Sequence, residues 1–141
     1  MYLDTSYLAK LYLPEPDSAL VENLIGGSYP IRTSALAVTE FHSILHRLVN
    51  EGGITETHAR HVSSIFLGHI ADGMWELIPA GEQMLRRTAA IILSSPVGVS
   101  IRSADAIHLV SAAEAGEREI WTSDRNMLKA AASFRLVGRT V

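Results

Sequence analysis

Glu119-Ile120-Trp121-Thr122-Ser123-Asp124 is the stretch on which the reading of this chain turns. Ile120-Trp121-Thr122 is rich in β-branched and aromatic residues, so Glu119 to Thr122 reads as a strand, with an acid just beyond its end. Asn126 to Ala132 follows as a short helix, and Phe134 to Val137 as a last strand. The chain opens in the same way. Met1 to Asp4 is a short apolar strand ending on an acid, and Ser6 to Leu13 reads as a helix stopped by Pro14-Glu15-Pro16. Between these ends strands and helices alternate. Asp17 caps a helix carrying Leu20, Val21, Leu24 and Ile25, closed by Gly26-Gly27. A short strand around Ile31 leads to helices over Leu36–Glu51 and from Thr55 to about Asp72. A strand over Trp75–Ile78 and a helix over Glu82–Leu93 follow. Ser103 caps an Ala-rich helix that runs to about Ala115, stopped by Gly116. The alternation predicts one α/β sandwich with a mainly parallel sheet. The helix pair from Leu36 to Asp72 is long for a crossover and is expected to project as a hairpin.

Length and composition agree. The 141 residues suit a single domain, and 48% apolar against 19% charged residues describes a folded chain. With no cysteine, disulfides, zinc–thiolate sites and cysteine nucleophiles are excluded. No secretory signal or long apolar segment is visible, so a cytoplasmic protein with no membrane span is expected. The formal net charge of −3 argues against gripping nucleic acid by charge alone. A bound divalent cation would offset two of those charges.

Ligands of an open parallel sheet bind at the carboxyl ends of its strands. Asp4 and Asp124 lie there, Asp105 falls in the first turn after Ser103, and Glu40 borders the Phe41/Leu45 stripe near the start of its helix. Each acid also has a structural explanation. Asp4 and Asp124 can be helix N-caps, Asp105 can complement a helix dipole, and Glu40 can be a rim residue. Four converging carboxylates, however, would repel one another, and a hard cation such as Mg²⁺ or Mn²⁺ removes that repulsion. Such a site suits hydrolysis of phosphodiesters by metal-activated water.

Asp4-Thr5-Ser6, Glu40, Ser103-Ala104-Asp105-Ala106-Ile107-His108-Leu109 and Thr122-Ser123-Asp124, in this order and spacing, resemble the PIN-domain family, and within it the short VapC-type toxins. The resemblance implies a single domain over residues 1–141 with a five-stranded parallel sheet between helices, a three-layer sandwich. It implies a Mg²⁺- or Mn²⁺-dependent endoribonuclease with Asp4, Glu40, Asp105 and Asp124 as catalytic and metal-binding acids. Ser6 and Thr122 would support those acids. It further implies an RNA substrate, a homodimer and a cognate antitoxin. The alternatives are a non-toxic PIN nuclease, a Mg²⁺-dependent aspartate-based phosphatase and a binding module without activity. Against the phosphatase, Ser6 stands where a second Asp is wanted. Against the inactive module, the acids are intact.

Other residues are weighed in the same way. Arg102 and Arg125 flank two of the acids and can meet RNA phosphates, or simply form ion pairs. Arg86-Arg87 reads as a solvated helix face. His42 and His46 stand at i, i+4 but lack the glutamate of a zinc motif, and read as surface or interface residues. His108 reads as a hydrogen-bonded packing histidine, with a proton shuttle as the alternative. Tyr7, Leu11 and Tyr12 flank the first acid and read as ordinary core and rim packing, with a groove for a partner's tail as the alternative.

Overall fold

The computed structural model describes residues 1–141. The chain runs β1 (Tyr2–Leu3), α1 (Thr5–Ala9), α2 (Ser18–Ile25), β2 (Ile31–Ser34), α3 (Leu36–Asn50), α4 (Glu56–Ala71), β3 (Trp75–Ile78), α5 (Glu82–Ser94), α6 (Ser103–Glu114), β4 (Glu119–Trp121), α7 (Arg125–Ala130), a 3-10 turn (Ala131–Phe134) and β5 (Val137–Arg139). The strands form one sheet in the order β3-β2-β1-β4-β5, and every pairing is parallel. This is the five-stranded α/β sandwich that the resemblance implies.

Successive residues of a strand face opposite sides of a sheet, and β1 uses both of its residues in this way. Leu3 packs with Leu8, Val21, Phe41, Phe66 and Trp75, the core beneath α1 to α4. Tyr2 packs with Met84, Leu109, Ile120, Met127 and Phe134, the core beneath α5 to α7. The chain walks from β1 out to β3, and the α5–α6 connection then carries it back past β1 to β4. Parallel crossovers keep one hand, so reversing the walk moves the helices to the other face. It also opens a crevice where the order reverses, between the carboxyl ends of β1 and β4.

Four local readings are corrected. α1 begins at Thr5 and ends at Ala9, because Asp4 caps it and the chain turns ahead of Pro14, whose ring disfavours helix in the residue before it. Ser103 is the first helical residue of α6; Arg102 occupies the cap with extended backbone and no side-chain bond. The last strand is Val137–Arg139 and not Phe134–Val137. Phe134 is drawn into the core by the 3-10 turn, which Arg135 closes in the left-handed region at φ 60°. The α3–α4 pair is anchored as well as long: Phe41, Leu45, Val62 and Phe66 are buried, and the Phe41 and Phe66 rings meet edge to face at 4.9 Å. No helix is long and apolar enough to cross a membrane.

Candidate functional site

Asp4 leaves β1 with extended backbone and caps α1. Its Oδ1 accepts hydrogen bonds from the Tyr7 backbone N–H at 3.0 Å and the Ser6 hydroxyl at 2.7 Å, and its Oδ2 from the Thr122 hydroxyl at 2.5 Å. The carboxylate is only 4% exposed. That burial pushes its pKa up, against the lowering effects of His108 and of the donors from Thr122, Ser6 and Tyr7. Ser6 and Thr122 do more than support Asp4. The Ser6 hydroxyl accepts from the Ser123 N–H at 3.1 Å, and the Thr122 hydroxyl accepts from the Asp124 N–H at 2.9 Å. The two hydroxyls thus tie the end of β1 to the end of β4.

Asp124 caps α7. Its Oδ1 accepts from the N–H groups of Asn126 at 2.7 Å and Met127 at 3.0 Å, and its Oδ2 accepts from the Arg102 guanidinium at 3.1 Å. The capping explanations for Asp4 and Asp124 are therefore true, and both acids line the crevice as well. Asp105, in the first turn of α6, has a buried Oδ2 with no hydrogen-bond partner, 3.5 Å from Arg102 Nε. Burial raises its pKa, and the charge of Asp124 raises it further; Arg102 acts in the opposite sense. Glu40, on α3, accepts at Oε2 from His108 Nε2 at 2.8 Å and from the Thr5 hydroxyl. Burial works to raise its pKa, but the hydrogen bond and charge of His108, with the Thr5 bond, outweigh it and hold Glu40 below the usual carboxylate range.

All four acids line one cavity of about 160 Å³ together with Thr5, Ser6, Arg102, His108 and Met127. They arrive from four places: the end of β1, the body of α3, the start of α6 and the cap of α7. A wider hollow of about 290 Å³, between α5, α6 and the 3-10 turn, holds an Arg87–Glu114 ion pair and none of the four. No three Asp, Glu or His side chains are gathered closely enough to hold an ion as they stand. Arg102 instead bridges Asp105 and Asp124. The donor chemistry nonetheless fits a small hard cation. It consists of carboxylate oxygens with no thiolate, and it includes an Asp105 oxygen that is buried without a partner.

The remaining expectations divide. Arg125 is exposed at the start of α7 and lies outside the cavity lining. Arg86 and Arg87 are engaged by Glu82 and Glu114. His42 joins α3 to α4 through Ser63 at 2.8 Å, and His46 meets Asn50 on the same helix. Tyr7 follows its packing reading. It is wholly buried, and its hydroxyl donates to Thr140 and accepts from the Val141 N–H, so its ring offers nothing to a partner. Leu11 is half-buried and borders a hollow with Tyr12, Glu22 and Ile25. Sequence reading gave Thr5 no role of its own, and gave His108 a packing role with a proton shuttle as the alternative. Their signals were adjacency to Asp4 and a three-residue step from Asp105 along one helix face.

Comparison with known structures gives the same architecture. VapC20 of Mycobacterium tuberculosis, described as a toxin that cleaves the sarcin–ricin loop, superposes with a TM-score of 0.71 at 15% identity, over 92% of this chain and 93% of that one. VapBC2 of Rickettsia felis, bound to a promoter DNA fragment, gives 0.69 at 14% identity over 99% and 97%. FitAcB of Neisseria gonorrhoeae gives 0.68 at 16% identity over 97% and 94%. A comparison with curated proteins finds no match. The model of the PIN domain matches residues 1–133, and the chain belongs to the PIN-domain family.

Proposed function

We propose that this protein is a divalent-metal-dependent endoribonuclease and the toxin member of a VapC-type toxin–antitoxin pair. The observation that carries the reading is the meeting of Asp4, Glu40, Asp105 and Asp124 around one small cavity at the strand-order reversal, with Asp105 Oδ2 buried without a hydrogen bond. These four carboxylates would hold Mg²⁺ or Mn²⁺. When bound, the ion supplies a Lewis acid for the phosphate oxygens and lowers the pKa of a water. The protein's own contribution is to hold position. Thr122, Ser6 and the Tyr7 N–H fix both oxygens of Asp4, so it has no rotamer to lose. Arg102 neutralises Asp105 and Asp124, and its guanidinium is 71% exposed, so it is free to turn from those acids to an RNA phosphate. Arg125, exposed at the start of α7, is proposed as a second contact for the strand.

An aspartyl-phosphate mechanism is the poorer reading. Asp4, the strand-end acid it would need as nucleophile, is buried, and hydrogen bonds occupy both of its oxygens. As partners we propose an RNA substrate, a second copy of the chain and an antitoxin whose inserted Arg or Lys would compete with the cation for the acids.

The test is RNA cleavage by purified protein in Mg²⁺, Mn²⁺ or EDTA. Cleavage should require the ion and leave 5′-phosphate and 3′-hydroxyl ends. Asp4→Asn, Asp105→Asn and Glu40→Gln should each lower the rate by about a hundredfold or more, as loss of one electrostatic group at a reacting centre does. Cleavage that persists in EDTA with 2′,3′-cyclic phosphate ends would overturn the reading.

A further inference from the structure

The cavity has a hydrogen-bonded back wall. His108 is 3% exposed, with Nδ1 2.9 Å from the Tyr2 hydroxyl and Nε2 2.8 Å from Glu40 Oε2 and 3.1 Å from Thr5 Oγ1. The Thr5 hydroxyl donates to the same Glu40 oxygen. The donor inventory fixes the direction at Glu40. A carboxylate only accepts, so Nε2 carries the proton that faces Glu40. With Nδ1 unprotonated the Tyr2 hydroxyl donates to it, and with both ring nitrogens protonated Nδ1 donates to that hydroxyl; in either case Nε2–H faces Glu40. The Tyr2 ring, wholly buried in β1, meets the imidazole edge to face at 6.0 Å. Glu40 Oε2 therefore receives two donors, while Oε1 receives none.

We propose that Tyr2, His108 and Thr5 form a positioning chain that locks Glu40 so that it offers a single oxygen, Oε1, to a divalent cation. The proposal rests on the metal-nuclease reading above. His108 is in this sense a positioning residue: it acts through Glu40, by a proton donated at Nε2. A donor to a ligating carboxylate fixes its orientation, and loss of such a donor weakens metal binding.

The experiment is a calorimetric titration of purified protein with Mn²⁺, alongside thermal melting in EDTA. His108→Gln keeps an N–H close to the place of Nε2, whereas His108→Leu fills the space without a donor. The leucine variant should bind Mn²⁺ about tenfold more weakly or worse, and the glutamine variant should stay within about threefold of wild type. Tyr2→Phe keeps the ring and removes the hydroxyl, and should shift affinity in the same direction by less. Wild-type affinity in His108→Leu overturns the proposal. So does equal weakness in the leucine and glutamine variants, which would make His108 a packing residue. Where the leucine variant does not fold, Tyr2→Phe decides, and an unchanged Mn²⁺ affinity there also overturns it. Glu40→Gln separates the two levels. If it binds Mn²⁺ as wild type does, or wild type binds none, the metal reading falls and the positioning chain with it. If Glu40→Gln is weak while His108→Leu is not, only the positioning chain falls.

Discussion

Asp105 Oδ2 is buried with no donor, and Asp124 shares the guanidinium of Arg102 with it. A carboxylate whose pKa is raised on folding favours the protonated native state. Its native stabilisation is complete below the unfolded value near 3.8 and is lost as pH rises through the folded value, so at neutral pH the ionised group works against the fold. Asp105→Asn should then melt higher than wild type in EDTA at pH 7, by roughly 3 °C, the shift that ~1 kcal/mol brings at this chain length. The gap should close as pH falls through Asp105's raised pKa, and saturating Mn²⁺ should reverse it by stabilising wild type alone. Scanning calorimetry of both proteins between pH 4 and 7 measures this. A variant that melts lower at every pH would make Asp105 a structural residue. Asp4, Asp105 and Asp124 were legible in the sequence because strand ends and helix starts can be read from local pattern, and Glu40 because it borders an apolar stripe and falls in the order that resembles the PIN-domain family. The bridge by Arg102 and the support from Thr5 and His108 were not, because they depend on side-chain direction across elements far apart in sequence.

β5 lies against α7 through Gly138, where a Cβ would stand 2.9 Å from Leu128 Cα and 3.1 Å from Leu128 O. Backbone cannot yield as a flexible side-chain tip does. Gly138→Ala should therefore destabilise by about 1–3 kcal/mol in urea unfolding, the range for overpacked sites. Little loss would mean that β5 can lift away from α7 freely. This end of the chain is also where sequence reading failed. Phe134 looks like the start of a strand, but its burial in the core is met by the 3-10 turn, and the left-handed Arg135 then delays β5 to Val137. Nothing local in Ala131-Ala132-Ser133 announces that turn. β3, by contrast, was legible to the residue, since Trp75, Leu77 and Ile78 are apolar β-formers around a single Glu76, bounded by Gly73 and Pro79. The order β3-β2-β1-β4-β5 came from no local pattern: a parallel strand of two residues carries no record of its neighbours.

Part of the acidic charge lies on one crevice, and the proposed toxin function would need restraint from outside. Induction of the wild-type chain alone should arrest bacterial growth, and Asp4→Asn should not. Co-expression of the neighbouring small open reading frame should restore growth. Equal, normal growth with abundant wild-type and variant protein would count against the toxin reading and leave a non-toxic PIN nuclease. The two hydroxyl ties between β1 and β4 bear on timing. Asp4 and its Thr122 partner stand 118 positions apart in the chain. Contacts so distant in sequence close late in folding. A polypeptide cut short of Thr122, just past the end of β4, therefore lacks one donor to Asp4, and on the proposed function it would be inactive.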